Sequence, residues 1–200
     1  LTFHALFSTL WQFEGFAVNN KVSFLFFLFL CLAALAVLPV TAFSDQYGKD
    51  VSVRLCFTPG GDCTEKIVRE IASARSEILI QAYSFTSAPI AKALIEAHKR
   101  GIKVAAILDK SQRTAKYTSA AFLANMRIPT YIDGKHAIAH NKIMIIDAAR
   151  VITGSFNFTK AAEEKNAENL LIIESKEIAK AYRKNWFEHL EHSEKYEPRY

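Results

Sequence analysis

Six residues of this chain fall in a pattern that a packed core alone does not require. They are His140, Lys142, Asp147, Gly154, Ser155 and Asn157, spaced as H-x-K-x4-D-x6-G-S-x-N. An imidazole is a nucleophile or proton carrier, an ammonium is a fixed cation, and a hydroxyl and a carboxamide are neutral hydrogen-bond donors. Together they suit a phosphodiester: Lys142, Ser155 and Asn157 hold the non-bridging oxygens while His140 attacks phosphorus. Fixed donors stabilise the negative charge of a phosphoryl group in flight, so the set predicts chemistry that needs no metal and no cofactor.

These side chains must be positioned by strands. Residues 140–147 and 151–157 read as two strands joined by Ala148-Ala149-Arg150. Residues two apart on a strand share a face, so His140 projects with Lys142, and Ser155 with Asn157. A tight connection then brings all four to one end of a sheet. Asp147 belongs to the pattern and is kept among the candidate catalytic residues, but it is seven residues from His140. That odd number points it to the other face, about 23 Å along the strand. A structural role at the far end of the hairpin is expected for it. The carboxylate that orients His140 is sought instead at Glu168, which opens the next strand. On Nδ1 it would fix the tautomer and stabilise the imidazolium.

The pattern resembles the HKD motif of the phospholipase D superfamily. With Gln81-Ala82-Tyr83-Ser84-Phe85-Thr86 and Asn166-Ala167-Glu168-Asn169, the resemblance covers about residues 50–190 and is closest to the small, single-motif bacterial endonucleases. It implies a covalent phosphohistidine: one motif's His attacks, and the other's protonates the leaving oxygen and later activates water. This chain has one motif and no internal repeat. The missing half is therefore expected from a second copy, in a homodimer with a twofold axis and one composite site holding both His140 residues.

Along the chain, strands are expected at 51–57, 77–83, 102–109, 129–132 and 167–174, beside the two signature strands. Helices are expected from Asp62-Cys63-Thr64-Glu65 (a capping-box spacing) to Ala74, from Pro89 to Arg100 with Ser87 as cap, near 119–126, and from Lys176 to His192. A polar loop or short helix fills 159–165. This alternation predicts an α/β fold of one domain, a mixed β-sheet sandwiched between helices. His189 and His192 read as part of a solvated helix face, His98 as a cation at a helix end, and His136 as no metal ligand. Lys110, Arg113 and Lys116 are candidates for a nucleic-acid groove.

The chain has 25 Lys and Arg against 20 Asp and Glu, a net charge of +5. Residues 1–42 hold one acid, Glu14, and one base, Lys21, so the excess belongs to residues 43–200 and favours anionic partners. Residues 22–42 carry no charge and end in Pro39 and Val40-Thr41-Ala42, as a secretory signal peptide does. Cleavage is expected after Ala42, with Ser44 second, giving a periplasmic domain of residues 43–200. The alternative is a retained membrane anchor. The aromatic, nearly uncharged residues 1–19 place the expected natural start nearer Val18 or Val22. Cys56 and Cys63, on either side of Pro59-Gly60-Gly61, are expected to form a disulfide in an exported protein, with Cys56 on the more polar face of its strand.

The function expected from these features is a metal-independent phosphodiesterase acting on DNA, and on RNA second, with little sequence preference. The alternatives are a phospholipase D or phosphatidyl transferase acting on lipid, and a nucleic-acid-binding protein without activity.

Overall fold

The computed structural model describes residues 51–115 and 118–198. Its strands are β1 (Ser52–Thr58), β2 (Glu77–Ala82), β3 (Lys103–Asp109), β4 (Thr130–Asp133), β5 (Lys142–Ile146), β6 (Arg150–Gly154), β7 (Glu168–Glu174) and β8 (Glu194–Lys195). Its helices are α1 (Cys63–Ala72), α2 (Ala88–Lys99), α3 (Ser119–Asn125), α4 (Lys160–Glu164) and α5 (Lys176–Leu190), with a 3-10 turn at Lys110–Arg113. The expected leader and its cleavage site, together with Lys116, lie outside the described residues. Among the described residues no helix is long and apolar enough to cross a membrane.

The strands form one mixed sheet in the order β1-β7-β6-β5-β2-β3-β4-β8. Pairing is parallel for β2 with β3 and for β3 with β4. It is antiparallel across β2-β5-β6-β7-β1 and between β4 and β8. The near-continuous apolar runs of β2, β3 and β5 are explained by burial on both faces. Ile78, Ile80, Met144 and Ile146 face α1 to α4 through Ile67, Ile90, Leu123 and Ala162. Leu79, Ile107, Ile145 and Val151 face α5 through Ala179 and Trp186. The Trp186 Nε1–H donates to the Ile80 carbonyl at 2.8 Å, fixing α5 across the sheet centre.

One helix cannot cover that second face to its edge. On β1, Val53, Leu55 and Phe57 are 48%, 58% and 61% exposed. Cys56 keeps to the more polar face, with Arg54, but that face is the covered one at Cys56, where the Cys56–Cys63 disulfide, with Cα atoms 5.8 Å apart, joins it to α1.

Three local expectations need correcting. Asp62 does not cap α1: its φ of 54° is left-handed, and its side chain makes no cap hydrogen bond. The carboxylate of Glu163 accepts from the N–H groups of Cys63 (3.2 Å) and Thr64 (2.6 Å) in its place. Ser87 holds the N-cap position of α2 with no side-chain bond, leaving Pro in the first turn as the start signal. The β5–β6 turn is centred one residue earlier than expected. Asp147 (φ 57°) and Ala148 (φ 49°) both take positive φ in the three-residue connection between Ile146 and Arg150, and the Ala149 N–H donates to the Ile146 carbonyl at 3.1 Å.

Candidate active site

The carboxyl ends of β1, β2, β3, β4 and β6 and the amino ends of β5 and β7 meet at one edge of the fold, as the registers Ala82↔Lys142, Gly154↔Leu170 and Thr58↔Glu168 require. The candidate residues sit along that edge, but fewer of them lie on strands than expected. β5 begins only at Lys142 and β6 ends at Gly154. His140, Ser155 and Asn157 therefore lie in the adjoining loops, and strand parity does not place them. Loop hydrogen bonds do.

Three contacts set the loop before β5. The Tyr83 N–H donates to the Asn141 carbonyl at 2.8 Å, extending the β2–β5 pairing. The Ala139 N–H donates to Asp109 Oδ2 at 2.7 Å. The Tyr83 ring lies 4.7 Å from the His140 ring, centroid to centroid. His140 itself is exposed, on a backbone held from both sides. Asp109 thus holds the backbone next to His140. Its signal in the sequence is an acid closing an apolar parallel strand at the carboxyl end, where sites of this architecture gather. Burial raises the Asp109 pKa, but the hydrogen bonds from Ser111 and Ala139 and the charge of Lys110 outweigh it and hold the carboxyl below its ordinary value.

Lys142 is buried beneath this loop, 7% exposed. Its ammonium donates to the His140 carbonyl at 2.9 Å and lies 5.2 Å from the centre of the Tyr83 ring. Burial lowers its pKa, and the nearby carboxylate of Glu168 opposes that shift. Within one chain, the bonds of Glu168 go to residues other than His140. Glu168 opens β7, two strands from β5, and its carboxylate accepts from Ser155 Oγ at 2.6 Å and Asn166 Nδ2 at 2.9 Å. Its charge faces Lys142. Ser155 Oγ in turn accepts from the Asn169 N–H at 3.0 Å. Ser155 is thus a link between Glu168 and the backbone of β7, rather than an uncommitted phosphate donor.

Gly154 makes that link possible. Its φ is +144°, and a Cβ there would lie 2.3 Å from the Asn169 carbonyl oxygen, which accepts from the N–H groups of both Ser155 and Phe156. Asn157 lies between the buried Phe156 and Phe158. The Phe158 carbonyl accepts from Thr86 and Ser87, fastening this loop to the one after β2. Asn157 Oδ1 is buried without a hydrogen-bond partner among the described residues.

Asp147 stands apart, at the other end of β5, about 16 Å of strand from Lys142. It has no place in the catalytic set. Its carboxylate accepts from the N–H groups of Arg75, Ser76 and Glu77 and from Ser76 Oγ, at 2.8–3.2 Å. Burial raises its pKa, but these bonds prevail and hold it below the ordinary carboxylate value. Of the expected groove cations, Lys110 donates to the His136 carbonyl and Arg113 pairs with Glu194.

The model of the cardiolipin synthase, phospholipase D-like domain matches residues 67–190. A protein of Rickettsia conorii named phospholipase D is 43% identical over 153 residues, 76% of each chain. The crystal structure of Nuc from Salmonella typhimurium, a phospholipase D family member, superposes with a TM-score of 0.71 at 37% identity. It matches 74% of this chain and 100% of that one. NucT from Helicobacter pylori superposes with a TM-score of 0.68 at 28% identity, with the same coverage.

Proposed function

The chain belongs to the phospholipase D superfamily of phosphodiester hydrolases, and on that premise we propose that it is a metal-independent endonuclease cutting DNA, with RNA as a second substrate. The observation that carries the reading is an exposed imidazole, His140, beside a buried ammonium, Lys142, that donates to the His140 backbone carbonyl. A phosphate laid on His140 meets that cation in a site with little water to screen it.

The reaction runs in two displacements. A His140 nitrogen attacks phosphorus, a P–N bond forms, and the P–O bond to the leaving nucleotide breaks. The leaving oxygen takes a proton from the His140 of a second copy. That imidazole, now neutral, takes a proton from water as the water oxygen attacks phosphorus. The P–N bond breaks and both histidines return to their starting states. One chain supplies one such histidine, so the proposal includes a homodimer with a composite site. The uncovered stripe Val53, Leu55 and Phe57 supports a second copy, because it runs to the site: Phe57 pairs with Asn169, whose N–H donates to Ser155.

The net charge of +5 favours a polyanion whose backbone is bound without regard to sequence. The names Nuc and NucT, borne by small proteins that this chain matches over their whole length, point the same way. The second reading, hydrolysis or transfer at a phospholipid headgroup, is favoured by the Rickettsia relative. Plasmid nicking in excess EDTA, well below the melting temperature of the chelated protein, decides between them beside phosphatidylcholine vesicles. Nicking that disappears in His140→Ala supports the nuclease. Choline release without nicking supports the lipase. Nicking retained by His140→Ala would overturn the mechanism.

A further inference from the structure

Four residues outside the phosphodiester site converge at the same edge of the sheet, three strands from β5 and about 14 Å away. Asp133 closes β4 and is fully buried, and His136 follows three residues later. His189 lies in the last turn of α5, and His192 just beyond its end. One carboxylate oxygen, Asp133 Oδ2, lies 2.9 Å from His136 Nδ1, 2.8 Å from His189 Nδ1 and 3.4 Å from His192 Nε2. The three rings lie 4.9–5.3 Å apart, centroid to centroid.

We propose that Asp133, His136, His189 and His192 form a closed structural site for one divalent transition-metal ion, zinc by its ligand set. All four donor atoms lie within 4.8 Å of one another. Zinc bonds of about 2.0–2.1 Å to nitrogen and oxygen place neighbouring tetrahedral ligands roughly 3.3–3.4 Å apart, so the imidazoles need only small shifts to surround an ion. Hydrogen bonding alone does not account for the cluster. The carboxylate of Asp133 accounts for His136, which reaches both of its oxygens, and for His189, but His192 Nε2 is buried without a hydrogen-bond partner. Three neutral imidazoles and one carboxylate leave a complex of charge +1 at the carboxyl end of α5, the end of a helix that favours a cation.

Four protein ligands leave no open position, so the ion would hold structure and take no part in the displacement at phosphorus. What it would hold is specific. The segment from His136 to His140 leads into the proposed nucleophile, and the ion would pin its start to the end of α5. The site itself does not rest on the nuclease reading; only this consequence for His140 does.

The test uses the protein purified as the cell processes it and dialysed against metal-free buffer. Elemental analysis is expected to find roughly one zinc per chain, retained or restored by added zinc sulfate. Chelation is expected to lower the melting temperature by roughly 5–15 °C, and zinc to restore it. Cobalt in place of zinc is expected to give the visible absorption of tetrahedral coordination. His189→Ala and His192→Ala are each expected to remove the zinc-dependent part of the melting temperature, whatever they do to the rest. No bound zinc and equal melting temperatures with zinc and with chelator would overturn the site, as would full zinc binding by His192→Ala. So would a cluster that stabilises the fold only on acidification, as a carboxylate among protonated imidazoles does. Metal content and melting need no substrate, so a failed nuclease assay leaves this test standing.

Discussion

Lys142 Nζ lies 2.9 Å from the carbonyl oxygen of His140, so the cation of the site is anchored on the backbone of its own nucleophile. The two groups cannot drift apart independently. Lys142→Met is expected to lower the nicking rate at least ~10²-fold, because a desolvated charge that meets the transition state is lost. Lys142→Arg is expected to fail as a rescue, since a planar guanidinium does not fit a pocket shaped around a point charge beneath Tyr83. Single-turnover rates on plasmid DNA check both.

Ser155 donates to Glu168 and accepts from Asn169, so its removal acts through its neighbours. Ser155→Ala is expected to cost about 1–2 kcal/mol of stability for the lost hydrogen bonds, one of them to a carboxylate. The nicking rate is expected to fall by less than in Lys142→Met. Urea unfolding and nicking on the same preparations give the comparison.

Asp147 holds the opposite end of the sheet. Asp147→Asn is expected to lower stability at pH 7 by about 1–3 kcal/mol while leaving nicking at 25 °C within about twofold. The sign with pH follows from its depressed folded-state pKa. The wild-type carboxylate contributes stability that is fully present above the unfolded-state value, near pH 4, and is lost as pH falls through the lower folded-state value. The difference between wild type and Asp147→Asn should therefore shrink on acidification. Urea midpoints at pH 7 and pH 3 measure it, and an equal difference at both would contradict this account.

Gly154→Ala places a methyl group against the Asn169 carbonyl, at a φ of +144° that L-residues avoid. Loss of about 2 kcal/mol or more is expected. Activity should fall with it, because the shift moves Ser155 and Glu168 together. Thermal unfolding and nicking should report coupled losses.

The composite site predicts that light scattering finds two chains per active particle. A fully active monomer would contradict it.

Most of the fold could be read from periodicity, since β2, β3 and β5 are apolar runs and α5 carries its stripe. The separation of Asp147 from His140 was also legible, because it follows from strand length. Other features depend on contacts between distant segments. Proximity along the edge points Glu168 to His140, whereas within one chain its bonds go to the turn after β6 and to Asn166. His136, His189 and His192 look unrelated in sequence, and only the docking of α5 brings the last two to Asp133. The exposed face of β1 could not be foreseen, because alternation names two faces without saying which one the helices reach.

The capping of α1 by Glu163 bears on the order of folding. Its first turn is closed by a residue 100 positions downstream, and among the described residues β1 pairs with β7 alone, Ser52 against Glu174. Neither element at the start of the domain can complete itself from its own neighbourhood. Contacts of such long sequence separation slow folding. A nascent chain emerging amino end first would hold α1 uncapped until Glu163 is available and β1 unpaired until residues 168–174 are, and a truncation before residue 163 would leave both unfinished.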